Sequence, residues 1–193
     1  MIAQDRTLLP RRRIVLTFLM VCVCPGPLTV LAESAPSPSM NKLFRLFVGD
    51  WTVFEAFHKN EFFPKGGERK GEAHFTIGTG GTSLIEDYHS NGSAGKLDFL
   101  LVTWWDSEAR GYKVFTCSNN PDHAGGLRGT ARWEGDTLVN EYEDTVNGKQ
   151  LKFQDRFTKM NTGGVALVAG IVRAGKDFQP LITTIYRRKI RGP

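Results

Sequence analysis

Two carboxylates stand where the alternation of the chain places them among apolar side chains. Trp51, Val53, Glu55 and Phe57 share one face of a β-patterned stretch, and Asp155 interrupts the inward series Leu151, Phe153 and Phe157 of another. A buried carboxylate is costly unless it is paired or hydrogen-bonded, so Glu55 and Asp155 are candidates for polar contacts to a bound molecule. A third stretch puts Leu138, Asn140 and Tyr142 on one face. The alternative is the opposite phase, with Phe54 and Ala56 inward, or neutralisation of the two charges by internal arginines or water.

Other reactive side chains lack the spacing that chemistry requires. His58, His74, His89 and His123 show no metal-ligand spacing such as His-x-x-x-His, and each is read as solvent-facing or hydrogen-bonded. Ser107 and Ser118 have no Gly-x-Ser-x-Gly context, and Cys117 has no base beside it. The Gly-Gly pairs lack the lysine and helix of a phosphate loop, and Asn91-Gly92-Ser93 reads as a turn before it reads as a glycosylation site. No metal or cofactor is expected.

The elements that must position these residues are short and β-rich. Candidate strands run over 50–58, 69–78, 82–90, 96–105, 111–118, 126–133, 137–144, 150–159, 164–173 and 179–188. They are separated by turn signals such as Gly80-Gly81, Asn91-Gly92, Gly135-Asp136, Asn147-Gly148 and Gly163-Gly164. Connections this short exclude crossover helices, so neighbours pair antiparallel. Regular hairpins without long Greek-key connections favour closure, which also removes both exposed edges. The expected fold is therefore all-β, a closed antiparallel up-and-down barrel of about ten strands. Leu43, Phe44, Leu46 and Phe47 gather on one side of a short N-terminal helix that covers one end of the core. Of the adjacent Trp104 and Trp105, one must point outward or into a helix contact, and alternation does not say which.

The first 32 residues have the layout of a cleaved secretion signal. Arg11, Arg12 and Arg13 precede a largely apolar run from Ile14 to Cys24, which Pro25-Gly26-Pro27 ends, and Val30-Leu31-Ala32 offers a cleavage site. The run is shorter than the roughly 20 apolar residues of a spanning helix, so no stable membrane span is expected after cleavage. Arg12-Arg13-Ile14-Val15-Leu16 has a faint likeness to a twin-arginine signal. Residues 33–40 read as a flexible linker, and 41–193 as the barrel domain. The leader holds four of the 25 basic residues and one of the 20 acidic ones, which leaves 21 against 19 in the 161 residues that follow. That near-neutral balance gives no reason to expect a nucleic-acid partner. Only Cys117 of the three cysteines survives cleavage, so packing rather than an internal disulfide must hold the domain.

Gly49-Asp50-Trp51 opens the first strand directly after the helical segment, and Tyr186-Arg187-Arg188 ends the last. In this the chain resembles the lipocalin-like superfamily, in which a Gly-x-Trp tryptophan closes the barrel floor beneath a basic side chain of the last strand. The resemblance implies a structural pair of Trp51 with Arg187, a cation-π contact worth roughly 0.5 to 2 kcal/mol. The order of Gly49-Asp50-Trp51, Gly80-Gly81, Trp105-Asp106 and Tyr186-Arg187-Arg188 is similar to that of an exported bacterial family of lipocalin-like domains of unknown function, over about Leu43 to Ile190. Related haem-binding barrels use a histidine near the C-terminus, and here none follows His123, which disfavours haem.

These readings give the expectation of an exported, periplasmic or secreted barrel that binds a small, mainly apolar molecule without catalysis. Its cavity is expected to be lined by Glu55, Trp105, Asn140, Tyr142, Phe153, Asp155 and Phe157. An enzyme with a pocket carboxylate as general acid or base, and a barrel with a filled core that serves structure or interaction, are the alternatives.

Overall fold

The computed structural model describes residues 38–119, 126–146, 148–173 and 177–190; the expected leader, most of the expected linker and His123 lie outside them. A helix, α1, spans Pro38–Phe47 and leads into ten strands: β1 Gly49–Phe57, β2 Gly67–Ile77, β3 Ser83–Gly92, β4 Gly95–Asp106, β5 Gly111–Ser118, β6 Leu127–Glu134, β7 Thr137–Val146, β8 Lys149–Lys159, β9 Val165–Val172 and β10 Phe178–Arg188. Each strand pairs antiparallel with its sequence neighbours, and β1 pairs with β10 to close the barrel. The all-β up-and-down barrel with a short N-terminal helix is thus the observed fold, with strand ends within about two residues of those expected.

The helix starts at Pro38, inside the stretch read as linker. Proline suits a first helical position, where its missing N–H has no intrahelical acceptor to reach. Two residues on, Met40 is buried with Leu43, Phe44 and Phe47. These four side chains plug one end of the barrel, each contributing on the order of 1.5 to 3 kcal/mol if fully buried. The Phe47 ring stacks on Phe75 at 5.1 Å between centroids and meets Phe157 edge-on at 5.6 Å.

Trp51 fastens the helix to the floor. It is 1% exposed, and its indole N–H donates to the Phe47 carbonyl at 2.7 Å. The basic partner of Trp51 is Arg188 rather than the expected Arg187. Its guanidinium carbon lies 4.3 Å from the indole centroid, while Nη1 donates to the Val48 carbonyl and Nη2 to the Leu46 carbonyl at 3.1 Å. The reason is strand phase: Tyr186 points inward, so Arg188, two residues on, shares its side, and Arg188 is directly opposite Trp51 in the β1–β10 register. Arg187 is exposed, opposite Thr52. A cation among the last carbonyls of α1 also complements the negative end of the helix.

Gly49 makes room for this arrangement. Its φ is 133°, and a β-carbon there would stand 2.6 Å from Nη1 of Arg188. Asn91-Gly92 is not the turn that its composition suggested. Both residues remain paired, with Lys96 and Gly95, so the β3–β4 loop is Ser93-Ala94. Gly92 is needed for another reason, since a β-carbon would fall 2.2 Å from the Glu68 carbonyl of β2.

Candidate functional site

The strands that the helix plugs at one end enclose a cavity of about 500 Å³, whose lining extends toward the opposite end as far as Ala94, Lys96, Ser118 and Asn119. The interior is therefore not a filled core. That volume lies within the range of about 300 to 1,000 Å³ usual for small-molecule sites. Its apolar wall includes Phe57, Phe99, Leu101, Val114, Phe157 and Leu167. Phe63, from the β1–β2 connection, meets Phe57 edge-on at 4.8 Å near the mouth, and Lys96, Asn119 and Arg128 also line the site.

Five of the seven residues expected in the cavity line it: Glu55, Asn140, Tyr142, Asp155 and Phe157. The phase of β1 is the one with Trp51, Val53, Glu55 and Phe57 buried, which rules out an inward Phe54 and Ala56. Trp105 and Phe153 are not part of the cavity wall. Trp105 faces inward but sits near the plugged end, edge-on to Tyr112 at 5.1 Å, while Trp104 is the tryptophan that points out. Tyr112 continues a chain of contacts to the helix. Its hydroxyl accepts from the Trp133 indole N–H at 3.1 Å and donates to the Ser39 carbonyl at 2.8 Å, and the Lys42 ammonium lies 3.6 Å from the Trp133 ring centroid. Phe153 stacks on Tyr142 at 5.4 Å between centroids and serves as its support. Neither position is readable from alternation, which gives a side chain at most a face and never a depth along the barrel axis.

The polar part of the wall is larger than the sequence suggested. Glu55 is 5% exposed and is held by Arg69, which forks onto it from β2 with Nε to Oε2 at 2.7 Å and Nη2 to Oε1 at 3.0 Å. Ser90 of β3 donates to Oε2 at 3.0 Å, so this carboxylate is fully engaged. The Arg69 guanidinium also covers the Phe57 ring at 4.5 Å. Such a pair satisfies both charges, although its net stabilisation is small because both ions have left water.

Glu86 is the residue that sequence reasoning missed. It is 2% exposed, and the Tyr186 hydroxyl donates to its Oε1 at 3.2 Å. Burial pushes its carboxyl up to about 8, the negative charges of Asp155 and Glu55 push the same way, and the bond from Tyr186 opposes them. Asp155 is pushed up to about 7, again by burial and against the Tyr142 hydroxyl. Asp155 keeps some surface open to the cavity while lying deep within the protein. Burial likewise holds the phenols of Tyr88, Tyr142 and Tyr186 above their ordinary range, so they remain neutral donors.

Two buried polar atoms in this wall have no hydrogen-bond partner: Oδ1 of Asn140 and the hydroxyl of Tyr88. The Tyr88 ring is fixed by stacking on Phe99 at 4.3 Å between centroids, with Ser90 and Glu55 close to its hydroxyl. Leaving a buried polar atom unpaired costs on the order of 1 to 3 kcal/mol, so both atoms are places where a bound molecule gains by supplying a partner. The three described histidines lie outside. His58 bonds Thr183 at 2.9 Å, His74 contacts Asp50, and His89 lies 3.1 Å from Asp87 and 3.0 Å from Asp98. Cys117 is exposed, and no described helix is long and apolar enough to cross a membrane.

No family model and no curated protein matches the chain. Solved structures do. Rv2717c from M. tuberculosis superposes with a TM-score of 0.52 at 16% identity, over 80% of this chain and 99% of that one. The S-type phycobiliprotein lyase CPES from Guillardia theta gives a TM-score of 0.52 at 15% identity, over 79% of this chain and 93% of its own. At such identities the likeness is one of fold alone, a closed antiparallel barrel.

Proposed function

We propose that this protein is a carrier or receptor barrel that binds one small, mainly apolar molecule without transforming it, outside the cytoplasm after loss of its leader. The observation that carries the reading is the cavity of about 500 Å³, plugged by α1 at one end, with aromatic and aliphatic side chains over most of its wall. An apolar molecule entering it exchanges water contact for close packing, at roughly 25 cal/mol for each Å² removed from water. The unpaired Asn140 and Tyr88 atoms orient the polar end of such a molecule. The basic and apolar order of the first 32 residues, ended by two prolines, supports export.

Titration with the neutral apolar dye N-phenyl-1-naphthylamine tests the reading. A saturable rise in fluorescence at one dye per protein is expected. A linear response identical to that of buffer overturns it.

A further inference from the structure

The ionisable groups around the cavity are unequal in sign. Four carboxyls line it, Glu55, Glu86, Glu141 and Asp155; Glu141 is paired with Arg132 at 2.7 Å and Lys152 at 3.2 Å, and the guanidinium deep in the wall, Arg69, is already committed to Glu55 through two bonds. At the mouth, Lys96 is paired with Asp98 at 2.7 Å and Arg128 lies over Phe115 at 5.6 Å. Among the described residues, then, no cation stands between Glu86 and Asp155. Asn140 stands directly across from Asp155 in the β7–β8 register, is 5% exposed, and presents an oxygen with no donor. Side chains at opposed positions on one face lie about 5 Å apart at their β-carbons, near enough for one small group to touch both.

The missing chemistry is a compact donor with positive charge. An ammonium has three N–H donors and no acceptor, matching a site whose open valences are two carboxyls and an amide oxygen. We propose that the cavity selects an apolar molecule bearing one protonated amine, with the ammonium held by Glu86, Asp155 and Asn140 and the apolar body against Phe99, Leu101 and Phe157. The proposal rests on the binding reading above and specifies its ligand class.

Proton bookkeeping follows from the same geometry. Glu86 is faced by Tyr186 of β10, Glu55 of β1, Asp155 of β8 and, through Glu55, by Arg69 of β2, with Tyr88 beside it on β3. Burial, with the neighbouring carboxylates, favours the protonated form of Glu86, raised to about 8, and burial raises Asp155 to about 7. The positive charge of an ammonium opposes both influences, so binding an amine near neutral pH expels protons from these carboxyls. A carboxylate head meets the opposite field and must bring a proton with it.

The test is displacement of N-phenyl-1-naphthylamine from the full-length mature chain by dodecylamine, dodecanol and dodecanoate, which share one tail and differ only in the head. Dodecylamine is expected to bind about tenfold more tightly than dodecanol, with dodecanoate weakest. Calorimetry in buffers of different ionisation heat is expected to show proton release for the amine alone. Glu86→Gln and Asp155→Asn should each lower the amine-to-alcohol ratio several-fold, and Asp87→Asn, on the outward face of β3, should keep it. Equal or tighter binding of dodecanoate overturns the proposal, as does an amine preference that survives in the Glu86→Gln/Asp155→Asn double variant. If dodecanol binds and the amine gains nothing over it, the amine proposal alone falls. If neither the dye nor any head group binds, the cavity reading falls with it.

Discussion

The Tyr186 hydroxyl donates to Glu86 Oε1 at 3.2 Å inside the barrel, linking the last strand to β3 through a carboxyl that is 2% exposed. Among the described residues Glu86 has no cationic partner, so the fold tolerates it chiefly as the neutral acid. The stability of the domain should therefore depend on pH in an unusual direction. A carboxyl whose folded-state value is raised binds more protons folded than unfolded, and its penalty grows as pH rises. For Glu86 the loss begins above its ordinary value of 4.5 and is complete above about 8. For Asp155 the window runs from 3.8 to about 7. Each contributes a fall of a few kcal/mol at most, on the order of 1.4 kcal/mol per pH unit inside its window. Thermal unfolding from pH 5 to 9 should show a falling Tm, and Glu86→Gln should flatten the curve and stabilise the protein at pH 9. A wild-type Tm that rises over that range contradicts the account.

The Glu55–Arg69 pair makes a second, sharper expectation. Arg69→Met strands a buried carboxylate and should cost roughly 3 to 5 kcal/mol in urea unfolding at neutral pH. The double variant Glu55→Gln/Arg69→Met removes both charges and should recover much of that loss. Equal destabilisation in the single and double variants would show that the two side chains do not act as a pair.

At the plugged end, Arg188→Ala should destabilise by about 1 to 3 kcal/mol, since it loses the Trp51 ring and two helix carbonyls together. Arg187→Ala, at an exposed site, should stay within about 0.5 kcal/mol of wild type. Gly49→Ala should mimic the Arg188 loss, because its β-carbon displaces the guanidinium from an unfavourable positive φ. Chemical denaturation of the three variants ranks them.

Much of this was legible in the chain, and what was not had a physical reason. Hairpin turns and period-two alternation specify a closed meander, and they put Glu55, Asn140, Tyr142 and Asp155 inside because each interrupts an otherwise apolar face. Ser83-Leu84-Ile85-Glu86-Asp87-Tyr88 hides its phase, since one face carries Leu84, Glu86 and Tyr88 and the other Ile85 and Asp87, so both mix apolar and acidic residues. Arg69 did leave a signal. It is in step with Ala73 and Phe75, and a cation in phase with buried residues on β2 implies a buried anion nearby. Alternation puts Phe153 on the inner face and leaves Trp104 and Trp105 undecided, and it places neither Phe153 nor Trp105 in depth, because depth depends on strand stagger, which alternation does not encode.

The most direct measurement fills the cavity. Ala169 of β9 lines it, directly across from Asp155 on β8 and Ile182 on β10. In Ala169→Phe the added ring occupies the space that a ligand needs, so titration with N-phenyl-1-naphthylamine should give one saturable site in the wild type. A loss of affinity of about tenfold or more is expected in the variant, with its folded circular-dichroism spectrum retained. Dye binding of unchanged affinity in a folded Ala169→Phe protein would place the bound molecule elsewhere and contradict a cavity-binding barrel.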